Sequence, residues 1–353
     1  MSDLPISLPP GPATRTAVRT LVIGPEDAGQ RLDKLLGRLL VSVPRSHVFR
    51  LLRKGEVRLN GKRVKGDARV AEGDSLRLPP VREEQRDPDA PRPVPRRLIA
   101  QVEAAIVHED PRLLVLDKPS GIAVHGGSGI TFGVIEALRA SRPEETLELV
   151  HRLDRDTSGC LLVSRRRSTL RSLHALMREE AFDKRYLALL RGKWEYGQKL
   201  IDAPLRTDLR VGGERTVKVA AGGKSAASEF RVVQFYGKLA TLVEVRLLTG
   251  RTHQIRVHAT HAGHPVAGDE KYGDADFNVQ MQELGLGRLF LHAHSISYED
   301  PERHVTVSVS APLPDDLKAG LDQLAVAAAS KVRARGAVKA AGSPRAARPR
   351  RAR

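Results

Sequence analysis

Between two short apolar runs, residues 147–150 and 160–163, the chain carries the nine residues His151-Arg152-Leu153-Asp154-Arg155-Asp156-Thr157-Ser158-Gly159. Both runs are rich in Leu and Val and read as buried strands, which commits this part of the chain to a sheet. Five ionisable side chains fall in the six positions 151–156. A solvated hairpin loop is the bland reading of such a stretch. A charged loop held between two buried strands is also where a scaffold presents chemistry.

Three breaks organise the rest. Residues 1–20 are Pro-rich, lack periodicity, and are expected to be disordered. Residues 80–97 alternate prolines with charges and read as an extended linker. Residues 329–353, rich in Ala, Arg and Pro, read as a basic disordered tail. Between them lie a small module, 21–79, and a large one, 98–328.

The formal net charge of +17 points to a polyanionic partner, nucleic acid first. Residues 331–353 hold nine Lys and Arg and no acid, about half of that excess. The folded body is therefore basic in its own right. Cys160 is the single cysteine, so neither an intrachain disulfide nor a thiolate cluster can form. No run approaches the ~20 apolar residues of a membrane span. The N-terminus has no apolar secretory segment either, and a cytoplasmic protein is expected.

In the small module, apolar residues at 32, 35, 36, 39 and 40 have helical spacing, and a second helix follows, closed by Gly55. Two short strands then flank Asn60-Gly61, a strong hairpin signal. Arg45, Arg50, Arg53, Lys54, Arg58, Lys62 and Arg63 share this region almost without acids, as a phosphate-binding surface would. The pattern RLDKLL…SHVFRLLRKGEVRLNGKRV…GDSLRL resembles the alpha-L RNA-binding domain, also present in a small-subunit ribosomal protein.

The large module mixes many strands (113–116, 160–164, 185–191, 228–235, 240–248) with few helices. That predicts an α+β domain around a mixed, largely antiparallel sheet. With Thr252 as N-cap and Gly263 at C′, a helix is expected over 253–262. Four of its segments, LDKPSGIAVHGG (116–127), HRLDRDTSG, DKRYLAL (183–189) and LTGRTHQIRVH (248–258) followed by HPVAGDEKYG, resemble the ribosomal large-subunit pseudouridine synthases. VPRSHVFRLLRKGEVR, VHGGSG and LVHRLDRDTSG are similar to the bacterial C-type branch. The resemblance spans about 21–328.

It implies the pseudouridine synthase fold, with Asp154 as the essential aspartate. Converting uridine to its C-glycoside breaks the N-glycosidic bond and rejoins the ring through C5. A carboxylate serves as nucleophile on the sugar or on the ring, or supports a glycal intermediate. An ionised carboxylate in a dry, base-sized pocket needs a cation nearby. The resemblance gives that role to Arg256, with Arg251 as the alternative. It also implies that Tyr186 stacks on the uracil, that Arg152 enters the RNA where a base is extruded, and that Leu291 walls the pocket. The LDKPSG turn is expected near the nucleotide. Asp156 is expected to brace the loop rather than take part in chemistry.

His253, His258, His261 and His264 are separated by five, three and three residues, which is not the i, i+4 spacing of helical metal ligands. Neither a metal nor a cofactor is expected, and an isomerisation needs none. The reading is an isomerase acting on uridines of 23S ribosomal RNA, working as a monomer. The alternatives are a transfer-RNA pseudouridine synthase and a non-catalytic ribosome-assembly factor that binds RNA.

Overall fold

In a computed structural model, which describes residues 14–15, 17–40, 43, 45–83, 93–127, 130–209 and 215–341, the chain divides into two units, Met1–Pro93 and Val94–Arg353. The first unit runs β1 (Thr14–Arg15), β2 (Arg19–Val22), α1 (Leu32–Leu39), α2 (Arg45–Lys54), β3 (Arg58–Leu59), β4 (Lys62–Arg63), β5 (Ser75–Leu78) and β6 (Arg82–Glu83). Leu32, Leu35 and Leu36 of α1 are fully buried against Val48, Leu51 and Leu52 of α2 and Leu76 of β5. Gly55, at φ +72°, closes α2: its N–H bonds the Leu52 carbonyl and the Glu56 N–H bonds that of Leu51. Asn60 and Gly61 both have positive φ (51° and 75°), the condition for a two-residue hairpin turn that matches strand twist. The strand order is β2-β5-β3-β4, with β1 and β6 paired separately.

The second unit runs α3 (Arg96–Ala104), β7 (Ile106–Glu109), β8 (Leu113–Lys118), α4 (Val134–Ser141), β9 (Glu148–Leu149), β10 (Ser158–Ser164), α5 (Arg167–Arg178) and β11 (Asp183–Arg191). It continues with β12 (Lys199–Asp202), β13 (Leu205–Leu209), β14 (Arg215–Val219), β15 (Ala227–Tyr236), β16 (Ala240–Leu247) and α6 (Gln254–His261). The last elements are α7 (Ala275–Glu283), β17 (Leu291–Asp300), β18 (Val305–Ser310) and α8 (Asp315–Ala341). A ten-stranded sheet orders them β12-β15-β16-β11-β17-β10-β8-β7, with β18 on β17 and β9 on β10. Every pair but β10–β17 is antiparallel, so the expected α+β architecture holds.

Period-two alternation assigns the two faces. Leu114, Leu116, Leu161, Val163, Tyr186, Ala188 and Leu190 join one cluster with α4 and α6. Leu113, Val115, Cys160 and Leu162 pack instead with Leu173 of α5, and Leu189 with α7 and α8. Covered on both sides, β10 is buried along its whole length, with the apolar run 160–163 at its centre. At the parallel crossing Gly159 has φ +108°, and a Cβ there would lie 2.3 Å from the Ala293 carbonyl oxygen. Register slips between Arg185 and Tyr186, so Tyr186 faces Ala293 while Arg185 faces Ser295. Irregularities of this kind re-aim side chains beside functional sites.

Some expectations need correction. Strand residues occur at 14–15 and 19–20, inside the N-terminal stretch expected to be disordered, where Thr14, Thr16, Val18, Thr20 and Val22 alternate as β-branched residues. The expected linker already contains β6 and the start of α3. The expected disordered tail is helical as far as Ala341, because residues 329–341 are mostly Ala, Lys, Arg and Val without proline. Residues 1–13, 84–92 and 342–353 lie outside the described residues. No helix among those described is long and apolar enough to cross a membrane.

Candidate active site

The nonapeptide between β9 and β10 is held residue by residue. His151 Nε2 accepts the buried Leu162 N–H at 3.1 Å, which needs a neutral ring. Burial supplies one by pushing that imidazole down to about 4. Leu153 joins the apolar cluster under the sheet. Thr157 N–H closes a turn onto the Asp154 carbonyl at 3.2 Å. Asp156 pairs with its neighbour Arg155 at 3.0 Å, and Ser158 Oγ meets His292 Nδ1 at 2.9 Å. The middle of the segment faces outward: Arg152 and Arg155 are exposed, and the Asp154 side chain retains 24% of its surface.

The LDKPSG turn grips this loop. Lys118 is completely buried, and its Nζ donates to the carbonyls of Pro119 (2.8 Å), Ile122 (2.9 Å) and Arg155 (2.9 Å). Burial drives its ammonium down to about 7. Ser120 Oγ donates to the Asp156 carbonyl at 2.7 Å, and Gly121 N–H to that of Arg155 at 3.0 Å. The segment expected near a nucleotide is thus the clamp on the Asp154 loop. Its Lys and Ser were not singled out from sequence.

The cation comes from α6. Thr249 Oγ1 and Arg251 N–H both donate to Gln254 Oε1, at 2.7 and 2.9 Å. Gln254 Nε2 donates to the Ala227 carbonyl and to Ser228 Oγ. These bonds tie the helix start to β15, and the chain enters through His253 in a left-handed conformation (φ +53°). The helix therefore begins at Gln254 with His253, not Thr252, as its N-cap. Gly263 stands at C′ as expected, at φ +83°.

Arg256, buried, donates from Nη1 to Asp154 Oδ2 at 3.1 Å. Its Nε and Nη2 donate to the two oxygens of Asp269, both at 2.7 Å. Burial alone would lower the guanidinium's proton affinity, but the two carboxylates raise it above its ordinary value. Arg251 is exposed and donates to the Ser225 carbonyl at 2.9 Å, away from Asp154. Burial pushes the Asp269 carboxyl up, yet Arg256 and the N–H groups of Tyr272 and Lys271 hold it below the usual range.

A second arm reaches the same oxygen. His253 Nε2 lies 3.8 Å from Asp154 Oδ2, while its Nδ1 shares a 2.8 Å hydrogen bond with Tyr272 Oη. Tyr272 Oη also accepts the Val217 N–H, and its ring lies 5.1 Å from the Arg256 guanidinium carbon. Burial, with Arg256 and Lys271 nearby, holds the His253 imidazole toward its neutral form. Tyr186 is buried on β11, and burial together with the Asp154 charge pushes its hydroxyl well above the ordinary phenol range. Leu291 lies in the same apolar cluster as Tyr186 and Leu153.

Asp269, His253 and Tyr272 were not assigned roles from sequence, although all three stand in quoted motifs. The only signal was the dense polar spelling of GRTHQIR and GDEKYG. The histidines separate: His258 bonds Ser228 and the Ala203 carbonyl, and His264 bonds the Arg191 carbonyl. In the first unit Arg50, Arg53, Lys54, Arg58, Lys62 and Arg63 are all exposed. Arg45 starts α2, and its side chain lies outside the described residues.

A family model described as RNA pseudouridylate synthase matches residues 112–261, and the S4 domain matches residues 30–76. The chain is 51% identical over 303 residues to the ribosomal large subunit pseudouridine synthase C of Pasteurella multocida (strain Pm70), covering 86% of this chain and 92% of that one. To the protein of the same name in Escherichia coli (strain K12) it is 49% identical over 311 residues, 87% of this chain and 97% of that one. Among solved structures, human RNA Pseudouridylate Synthase Domain Containing 1 superposes with a TM-score of 0.51 at 27% identity, over 60% of this chain and 83% of that one. Human RNA Pseudouridylate Synthase Domain Containing 4 shares the fold, with a TM-score of 0.53 at 24% identity over 64% and 95%.

Proposed function

The chain belongs to the RNA pseudouridylate synthase family, and we infer from this that it isomerises specific uridines to pseudouridine in 23S ribosomal RNA of the large subunit. The observation that carries the site is the Asp154–Arg256 pair at 3.1 Å, on a loop pinned from below by Lys118.

In the reaction the C1′–N1 bond breaks and a C1′–C5 bond forms. C5 releases a proton and N1 gains one, so substrate and product have the same atoms and oxidation state. That balance is why the reading includes no cofactor. Asp154 is the group we assign to the sugar or the ring; attack at either, or a glycal route, uses the same carboxylate. Arg256 supplies the opposing charge. Tyr186 stacks on the uracil, with its hydroxyl near the proton removed from C5; burial and the Asp154 charge push that hydroxyl above the ordinary phenol range. Leu291 borders the base, Arg152 fills the place of the extruded nucleotide, and Arg251 lies at the rim.

We assign catalysis to residues 98–328 and RNA anchoring to residues 21–79, through Arg45, Arg50, Arg53, Lys54, Arg58, Lys62 and Arg63. Backbone contacts of this kind give affinity without sequence choice. The enzyme is read as a cytoplasmic monomer.

The test is a pseudouridine map of large-subunit ribosomal RNA from cells lacking the protein, by carbodiimide labelling and primer extension. Specific stops should vanish, return with the wild type, and stay absent with Asp154→Asn. An unchanged map would move the substrate to transfer RNA. Product with Asp154→Asn would remove the assigned carboxylate.

A further inference from the structure

A guanidinium facing one carboxylate takes it by a two-point grip, with two parallel N–H···O bonds. Arg256 does this, but to Asp269 and not to Asp154. Its Nε and Nη2 reach the two oxygens of Asp269 at 2.7 Å each, whereas a single N–H, from Nη1, reaches Asp154 at a longer 3.1 Å. Both groups that approach the Asp154 carboxylate, Arg256 and His253, come to Oδ2. Among the described residues, no hydrogen bond or ion pair reaches Oδ1.

Asp269 is built to hold that grip. Its side chain is 1% exposed, against 24% for Asp154. The oxygen that accepts Arg256 Nη2 also accepts the N–H groups of Lys271 (2.9 Å) and Tyr272 (3.0 Å). Asn278 Nδ2 and Gly273 N–H bond its carbonyl at 3.1 and 3.0 Å. The turn tolerates no side chain at its ends: a Cβ on Gly268 would lie 2.1 Å from the Arg288 carbonyl oxygen, and one on Gly273 1.9 Å from that of Asp269. The Tyr272 ring beside Arg256 fixes the guanidinium further.

Charge gives the same reading. Arg256 and Asp269 already form a neutral pair joined by two hydrogen bonds. Adding Asp154 leaves one surplus negative charge on the most exposed member of the three. An ion pair made only for stability has no need of that third carboxylate, since burying an extra charge is costly.

We propose that Asp269 is a positioning residue for the reaction: it holds Arg256 so that one N–H secures one oxygen of Asp154 and the other oxygen is left for the substrate. Released from Asp269, Arg256 turns its fork on Asp154 and occupies both oxygens. The inference rests on the assignment of Asp154 as the catalytic carboxylate.

Single-turnover conversion of a 23S ribosomal RNA fragment, with folded protein verified by thermal melting, tests it. Asp269→Asn should lower the rate about 100-fold, the scale of a misplaced reacting group, while the RNA dissociation constant stays within about twofold. Asp269→Glu keeps the charge and should recover about tenfold of that loss. In an Arg256→Gln background, adding Asp269→Asn should cost less than about twofold, because residues acting through one another do not add. A full additional loss there would make Asp269 a brace of its own turn and overturn the proposal, as would a wild-type rate for Asp269→Asn. If Asp269→Asn does not fold, Asp269→Glu decides: a wild-type rate overturns the proposal, and a roughly tenfold loss at unchanged melting temperature supports it. Wild-type protein that makes no pseudouridine, or an active Asp154→Asn, would instead defeat the functional reading beneath it.

Discussion

The ammonium of Lys118, at the end of β8, donates to the carbonyl of Arg155 at 2.9 Å, so a completely buried side chain holds the residue next to Asp154. Two sequence motifs thirty-odd residues apart are thereby one structural device. The cost is a cation kept from water, and burial lowers its proton affinity from 10.5 to about 7.

That shift predicts a pH dependence. Between about 7 and 10.5 the unfolded chain keeps a proton on Lys118 that the folded chain has released, so folding stability rises with pH there, by up to about 1.4 kcal/mol per unit. The penalty is fully present below about 7. Lys118→Met lacks this slope. Urea unfolding at pH 6, 7.5 and 9 should show wild type gaining on the variant as pH rises. Parallel curves would mean that the lysine is not held as described.

Arg256 and Asp154 should differ sharply in what they contribute to the fold. Arg256→Ala leaves Asp269 buried without its partner and should cost about 3–5 kcal/mol. Asp154→Ala leaves the Arg256–Asp269 pair intact and removes a partly exposed group, so it should cost no more than about 1 kcal/mol. Equal losses in denaturant unfolding would contradict the division of roles between the two carboxylates.

Tyr186→Leu keeps an apolar side chain in the cluster under the sheet and removes the aromatic face. An aromatic–base stack is worth about 1–3 kcal/mol, so the rate at subsaturating RNA should fall about 5- to 150-fold with little change in melting temperature. A variant as active as wild type would rule out stacking on the uracil.

Arg53, Arg58 and Lys62 are exposed on α2 and the following hairpin. Replacing all three with Ala should lower the slope of log affinity against log salt by about two to three, as loss of that many phosphate contacts requires. The rate at saturating RNA should not move. A slope unchanged from wild type would place the RNA on another surface.

Much of this protein could be read from its residues because the causes are local. The period-two alternation of β8, β10 and β11, the leucines of α1, and the glycine stops at Gly55 and Gly263 each depend on neighbours a few positions away. The choice of Asp154 as the focus came instead from the resemblance of its contiguous nine-residue setting to a known motif. Where local rules were read too coarsely, structure departed from expectation. Before Leu21 the β-branched alternation outweighs the nearby prolines, and after Ser330 the helix-forming alanines outweigh the density of basic residues.

The rest was decided by contacts between distant residues. Nothing in GDEKYG says that its aspartate meets a guanidinium thirteen positions earlier, or that this guanidinium then reaches a carboxylate 102 positions earlier still. The choice between Arg251 and Arg256 was likewise closed to spacing, because both stand in one basic motif. Gln254 decides it geometrically by clamping the helix start, so that one arginine turns inward and the other outward. Sequence determined which side chains and which strands the protein has. Tertiary structure alone determined which oxygen of Asp154 is held by Arg256, because that depends on where buried charges from three separate segments find their partners.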